Sequence, residues 1–396
     1  MADSEIIVFP NHRVEIGSPN WELDASGEDV WLVRSLRDFL SEIEQAGGVP
    51  ALAAATLPYS KDSRNNTNIS GIDRFQFFPL GGAYIRHRGW WVKTMGYMVA
   101  TYQLLFQIPK KPFWYLQYPG PIGILACLVG CLFHVRYGLY VRCRWKSSGW
   151  LGLLNRYYFK KADFIIATGE AFKMSLLEYN ANVHEVAPMI SFSLGDVCEK
   201  KSYAIHNEAV ILFVGQLHPE KGILELVRAV SKVRKSCKIR LVLVGDSSGI
   251  PGMPGKLEET IEENHCQQQV EIVGQIRDKI ELARRFEEAD LFALPSYYPE
   301  GFPRVIYEAM SFGLPVICTD VEGREGFLRD GENCRYVIKE SDQDLAKKLL
   351  ELLEDKKLRS HIGMNGSRDV RKLLARYEGI THGMQVVHSV QQYFCT

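Results

Sequence analysis

Leu291-Phe-Ala-Leu-Pro-Ser-Tyr-Tyr-Pro-Glu300-Gly-Phe-Pro-Arg304-Val-Ile-Tyr-Glu308-Ala-Met-Ser-Phe-Gly-Leu-Pro315-Val-Ile-Cys-Thr319 holds a complete strand–helix–strand unit. Its two ends are short unbroken apolar runs, the pattern of strands buried on both faces, and the segment between them is a helix entered through Pro303. Proline suits the first helical turn because its missing N–H would have had no partner there. The amides of Arg304 and Val305 then face outward and form a terminus that attracts phosphate. Glu300 precedes the helix and Glu308 lies one turn inside it. A carboxylate accepts from vicinal hydroxyls, so the pair is placed to hold a sugar at one end of a ligand and a ribose at the other.

The same grammar extends in both directions. Upstream in this half, strands are expected at Val210 to Val214, Arg240 to Val244 and Val270 to Val273, and downstream at Arg335 to Ile338, with helices between. The N-terminal half shows strands at Ile6 to Phe9, Val49 to Ala55, Phe75 to Pro79, Phe113 to Tyr118, Leu139 to Cys143, Phe164 to Thr168 and Val183 to Ala187, and a helix over Val30 to Ile43. The alternation breaks after Pro188 into a mixed stretch that reads as a linker. The fold class is therefore α/β, with two Rossmann-like, doubly wound parallel-sheet domains: 1–190, then 207–376, with a last helix over 377–396 crossing back to the first. Ligands of such sheets bind beyond the carboxyl ends of the strands, here in a central cleft.

Composition agrees. Of 396 residues, 46% are hydrophobic and 24% charged, near the averages for globular chains, and the length suits two domains. Forty-seven basic residues balance forty-seven acidic ones, so no overall field draws in nucleic acid. The nine cysteines form an odd, scattered set that fits a reducing, cytoplasmic setting, and Cys127 and Cys131 read as core packing rather than zinc ligands. The first twelve residues lack the basic region and long apolar core of a secretory leader. The longest apolar run, Ile122 to Phe133, is too short to span a bilayer.

The second half resembles the retaining glycosyltransferases of the GT-B fold, family 4, also called glycosyl transferases group 1. Its signature, Glu-x7-Glu, is matched by Glu300 and Glu308, with the Glu-Ala-Met and Gly-x-Pro-Val-Ile pattern at Glu308 to Met310 and Gly313 to Ile317. The resemblance implies that Glu300 binds hydroxyls of a donor sugar, that Glu308 binds the ribose, and that the amides of Gly301, Phe302, Arg304 and Val305 serve the sugar and phosphates. In Gly215-Gln216-Leu-His-Pro-Glu-Lys221, Lys221 occupies the family's lysine position and would neutralise the departing diphosphate. Gln216 stands where the family carries arginine, one charge fewer. Gly274 and Ile276 fall in the loop whose main chain reads the nucleotide base.

In the first half, Gly17 follows the first strand, where a glycine lets backbone approach the donor phosphate. Arg142 and Arg144 stand near the position at which many relatives have a histidine; an arginine stays protonated, so Arg144 suits an anionic acceptor rather than a general base. Arg86, Arg88, Trp90, Trp91 and Lys93 mix aromatic and basic side chains as a membrane interface does. Asp342 and Asp344 have the Asp-x-Asp form of a metal site, but with Ser341 before them they read as a helix start; no metal or other cofactor is expected. These readings converge on a peripheral, metal-independent transferase of sugar from a nucleotide-diphospho-sugar to a growing, lipid-linked glycan. The rival is a catalytically weak, membrane-docked nucleotide-sugar binder or assembly subunit.

Overall fold

The computed structural model describes residues 4–9, 14–16, 30–58, 66–68, 76–80, 90–110, 112–141, 145, 147–186, 190, 192–198, 200, 202–205, 207–247, 250, 252–276, 278–297, 303–320 and 327–394. The chain divides into two compact units, Met1–Ala187 with Gly379–Thr396, and Pro188–Glu378.

The strands of the first unit are β1 (Ser4–Phe9), β2 (Val14–Ile16), β3 (Val30–Val33), β4 (Gly48–Pro58), β5 (Asn66–Asn68), β6 (Gln76–Leu80), β7 (Phe113–Tyr118), β8 (Tyr137–Val141), β9 (Phe164–Ala167) and β10 (Val183–Glu185). Its parallel body runs β10-β9-β8-β7-β1-β4-β6. The far end of β4 leaves this body and pairs at Thr56–Pro58 with β2, from which β3 and β5 continue antiparallel. Of these three short strands, β3 replaces the start of an expected helix: Val30–Val33 is a strand, and the helix begins only at Arg34. β-Branched Val30 and Val33 and aromatic Trp31 favour a pleated surface, whereas Leu36, Phe39, Leu40 and Ile43, at helical spacing, turn one side of Arg34–Gln45 into the core.

The returning C-terminal helix, His382–Phe394, belongs to this first unit. It buries Val386, Val387 and Val390 against the core that contains Leu40 and Ile43. Polar contacts fix its start: the ring of His382 and the Tyr115 hydroxyl are 2.7 Å apart, and Gly383 N–H donates to Glu42 at 3.0 Å.

The second unit is a six-stranded parallel sheet of β11 (Ala209–Val214), β12 (Ile239–Val244), β13 (Val270–Gly274), β14 (Leu291–Leu294), β15 (Val316–Thr319) and β16 (Arg335–Val337), in the order β13-β12-β11-β14-β15-β16. The stretch read as a linker packs onto this unit. Cys198 N–H donates to the Ser311 carbonyl at 2.9 Å, the Tyr203 hydroxyl to the Gly313 carbonyl at 2.9 Å, and buried Arg359 holds the Tyr203 carbonyl. Its polar side chains hid from a pattern reading the backbone bonds that bind it down.

Candidate active site

Sheet order creates the site. From β11 the chain builds outward through β12 and β13, then returns to the other side of β11 for β14, so the order reverses between β11 and β14. Doubly wound sheets open a crevice beyond the carboxyl ends of strands at such a point, because the following loops diverge to opposite faces. A cavity of about 270 Å³ lies there, lined by Val214, Gly215, Lys221, Leu294, Pro303, Arg304, Val305 and Glu308.

Three local devices hold its walls. After β11 the chain enters a 3₁₀ turn, Pro219–Lys221, whose start is capped by His218: the ring accepts from Glu220 N–H at 3.2 Å. Gly222 then takes a left-handed φ of 72° and launches the helix Ile223–Val233. A Cβ there would stand 2.3 Å from the Pro295 carbonyl oxygen, so only glycine lets the turn that carries Lys221 lie against the end of β14. Tyr297 N–H closes the same contact, donating to the Glu220 carbonyl at 2.9 Å. Burial, with help from the carboxylates of Glu225, Glu340 and Glu220, raises the Tyr297 phenol, which stays protonated.

The loops after β11 and β12 also touch. A Cβ on Gly245 would fall 1.8 Å from the Gly215 carbonyl oxygen, and Leu217 N–H donates to the Asp246 carbonyl at 3.0 Å. The opposite wall is the helix Arg304–Ser311. Pro303 is its N-cap rather than its first helical residue, and provides no side-chain cap. Pro303, Arg304 and Val305 line the cavity, so the positive end of the helix macrodipole meets it. Glu308, only 7% exposed, follows one turn later on the cavity side.

Of the residues singled out from sequence, Gly215, Lys221, Arg304, Val305 and Glu308 thus meet around one cavity. Gln216 does not line it and is exposed, its carbonyl accepting from His218 N–H at 2.8 Å. Gly274 ends β13 and Ile276 packs on the core at the far side of β12, away from the lining. Glu300, Gly301, Phe302, Gly17, Arg142, Arg144, Arg86 and Arg88 lie outside the described residues, as do the side chains of Trp90 and Lys93; Trp91 is 73% exposed. Asp342 and Asp344 serve structural partners: Asp342 pairs with Lys232 at 3.0 Å, and Asp344 accepts from Ile338 N–H at 2.8 Å while its own N–H meets the Ser341 hydroxyl. Val214 and Leu294 were missed as lining residues; their strand-end positions were readable, but their adjacency was not.

Comparison with known proteins bears on the family and the fold. Residues 198–369 match the profile of the family Glycosyl transferases group 1. An uncharacterized glycosyltransferase of Methanocaldococcus jannaschii is 31% identical over 41% of this chain and 43% of its own length. The N,N'-diacetylbacillosaminyl-diphospho-undecaprenol alpha-1,3-N-acetylgalactosaminyltransferase of Campylobacter jejuni is 27% identical over 43% of this chain and 42% of its own. The chain thus matches less than half the length of either relative. Over the whole fold, the HepE protein of Anabaena, crystallised with UDP, superposes with a TM-score of 0.65 at 14% identity, covering 98% of this chain and 100% of its own. That likeness gives the architecture as GT-B.

Proposed function

We propose, from the premise that the second unit is a glycosyl transferases group 1 domain in a chain of GT-B fold, that this protein transfers a sugar from a nucleotide-diphospho-sugar to a hydroxyl of a growing glycan. The observation that carries the reading is the cavity at the β11–β14 reversal, where an ammonium, a helix N-terminus and a buried carboxylate converge. Lys221 and the start of Arg304–Ser311 suit a diphosphate, since both stabilise the negative charge that develops on it as the bond to the sugar breaks. Glu308 suits ribose hydroxyls, and Glu300 is assigned to the sugar by its place in the sequence motif.

The stereochemical course we favour is retention with front-face departure. The bond from the anomeric carbon to the diphosphate oxygen breaks, the acceptor oxygen bonds to that carbon from the same side, and its proton passes to the departing diphosphate oxygen. This chemistry needs only charge stabilisation from the chain, so the reading includes no metal. The acceptor is proposed to be lipid-linked, in keeping with the Campylobacter relative's name, and reached by peripheral contact at the cytoplasmic face of a membrane through the region of Arg86, Arg88, Trp90, Trp91 and Lys93. The rival of a weak binder drew on Gln216; that residue stands off the cavity while Arg304 lines it, which favours a transferase.

The test is a panel of nucleotide-diphospho-sugars with glycan and lipid-linked acceptors, following release of nucleoside diphosphate and the anomeric configuration of the product by NMR, with and without EDTA. Release that needs an acceptor, survives EDTA and retains configuration is expected. Absence of nucleoside diphosphate binding by calorimetry would overturn the reading at its root.

A further inference from the structure

The first unit presents a second surface that sugar transfer does not explain. Its right-handed crossovers set the helices Trp90–Phe106, Pro121–Leu132, Gly149–Lys161 and Glu170–Leu177 on one side of the sheet. Their inner sides share one core, through Leu104, Cys127, Phe159 and Leu176. Their outer sides are apolar too. Along Trp90–Phe106, Trp91, Met95, Met98, Tyr102 and Phe106 recur at steps of four, three, four and four, and each is between 52% and 73% exposed. Beside it stand Leu128, Leu132 and Phe133, and on the next helix Trp150, Leu153 and Tyr157, all exposed. At roughly 100 Å² for each half-exposed large side chain these amount to about 1,000 Å², beyond the roughly 300–600 Å² of the largest patch on a typical monomer. By contrast, the helix Arg34–Gln45 on the opposite side of the sheet shows Asp38, Glu44 and Gln45.

Charge identifies the occupant. Between Asp73 and Asp163 the sequence contains thirteen Lys and Arg and no Asp or Glu, within a chain whose 47 basic and 47 acidic residues cancel. Exposed Arg156, Lys160 and Lys161 end the third strip, and Lys161 Nζ lies 6.0 Å from the Tyr157 ring. Lys110, just past the first helix, lies 5.6 Å from the Phe133 ring. A protein partner for this apolar layer would have to be acidic throughout its rim, whereas a bilayer of anionic phospholipid supplies hydrocarbon and phosphate in that order. A groove of about 440 Å³ along the first helix, between Met98, Tyr102 and Phe106, is apolar enough for acyl chain. Among the described residues no helix is long and apolar enough to cross a membrane, so the layer rests on the surface.

We infer that the outer face of this helix layer docks on an anionic phospholipid bilayer, its apolar side chains entering the acyl boundary while lysines and arginines at the helix ends meet phosphates. This extends the membrane contact of the proposed function from one basic segment to a whole layer, and it stands or falls separately from sugar transfer.

The experiment is co-sedimentation of the full chain with phosphatidylcholine vesicles, with and without phosphatidylglycerol, for wild type, for Met98→Glu/Phe106→Glu/Leu153→Glu, and for Arg86→Ala/Arg88→Ala/Lys93→Ala. The glutamates fall at exposed positions, and unchanged UDP affinity and circular dichroism check that both units stay folded. The expected result is binding to the phosphatidylglycerol vesicles that falls with salt and drops more than tenfold in the glutamate variant. The proposal is overturned if the glutamate variant binds like wild type while the alanine variant does not, which would leave only the basic segment. It is equally overturned if light scattering shows a dimer that the glutamates dissociate and no vesicle binding occurs. Loss of UDP affinity in wild type would instead strike the transferase reading and leave the docking result intact.

Discussion

Gly222→Ala perturbs the candidate site through one methyl group, and the structure contains its own control. Gly222 has φ 72° and a Cβ would fall 2.3 Å from the Pro295 carbonyl oxygen and 2.9 Å from the Pro295 carbonyl carbon. Gly252 has φ 74° with nothing within 4 Å of a Cβ. Both alanines suffer the left-handed backbone penalty of about 1–2 kcal/mol. Only at Gly222 does a backbone carbonyl block the methyl, and a carbonyl cannot rotate away as a side chain can, so overpacking adds about 1–3 kcal/mol there. At roughly 2–4 °C per kcal/mol for a unit of this size, Gly222→Ala should melt about 2–12 °C below Gly252→Ala. The shift must separate the Lys221 turn from the end of β14, breaking the Tyr297 to Glu220 bond, so nucleoside diphosphate affinity should fall at least tenfold in Gly222→Ala and hold in Gly252→Ala. Calorimetry of melting and of nucleoside diphosphate binding reads both. Equal melting temperatures, or unchanged nucleoside diphosphate affinity in Gly222→Ala, would refute the claim that this contact builds the cavity wall.

Glu308→Gln should weaken nucleoside diphosphate binding about 10–100-fold, the effect of losing one charged hydrogen bond in a buried setting, measured by calorimetry. Lys221→Met should lower kcat about 10²–10³-fold, with a smaller change in nucleoside diphosphate affinity, because the charge it opposes grows during the reaction; steady-state kinetics separates the two. The backbone and side-chain hydrogen bonds of Ser193, with Lys279 at 3.1 Å, hold the Asp196 carboxyl down at about 2. A depressed folded pKa stabilises above the ordinary value near 3.9 and is lost as pH falls through the folded one, so wild type should lose stability from about pH 4 toward pH 2 more steeply than Asp196→Asn in urea titrations.

What could be read from the chain follows the range of each interaction. Strands such as Leu291–Leu294 and Val316–Thr319 are buried on both faces, and their unbroken apolar runs mark their limits directly. Val30–Val33 fused with the following helix in a pattern reading because no glycine or proline separates them; what makes it a strand is pairing with β2 and β5. At the site, the helix start before Glu308 and the turn after β11 that carries Lys221 are local events that the sequence marks. The lining by Val214 and Leu294 was not legible, since it arises from the pairing of Ile211 with Leu291 and Leu212 with Phe292, eighty residues apart. The return helix was legible in place but not in its anchor: nothing near His382 in sequence announces Tyr115.

The sharpest case is Gln216, where sequence offset and geometry point to different residues. Counting back five from Lys221 puts the missing family charge at Gln216, which suggests that restoring an arginine would restore rate. In the fold, the turn after β11 leaves Gln216 exposed and off the cavity, while Arg304, on the opposite wall, lines it together with Lys221. If Arg304 supplies the second cation, Gln216→Arg in the wild-type background should change kcat less than about threefold, since a further guanidinium would approach a site already holding two positive charges and gain little transition-state stabilisation. Arg304→Ala alone should lower kcat by more than tenfold. In the Arg304→Ala background the same Gln216→Arg change has a vacancy to fill, and a long, planar side chain from the neighbouring loop should recover part of the loss. Steady-state kinetics on the four proteins of this cycle measures the coupling directly. A tenfold gain from Gln216→Arg alone, or additive effects of the two substitutions, would mean that the two side chains serve different parts of the donor and that Arg304 does not replace the absent arginine.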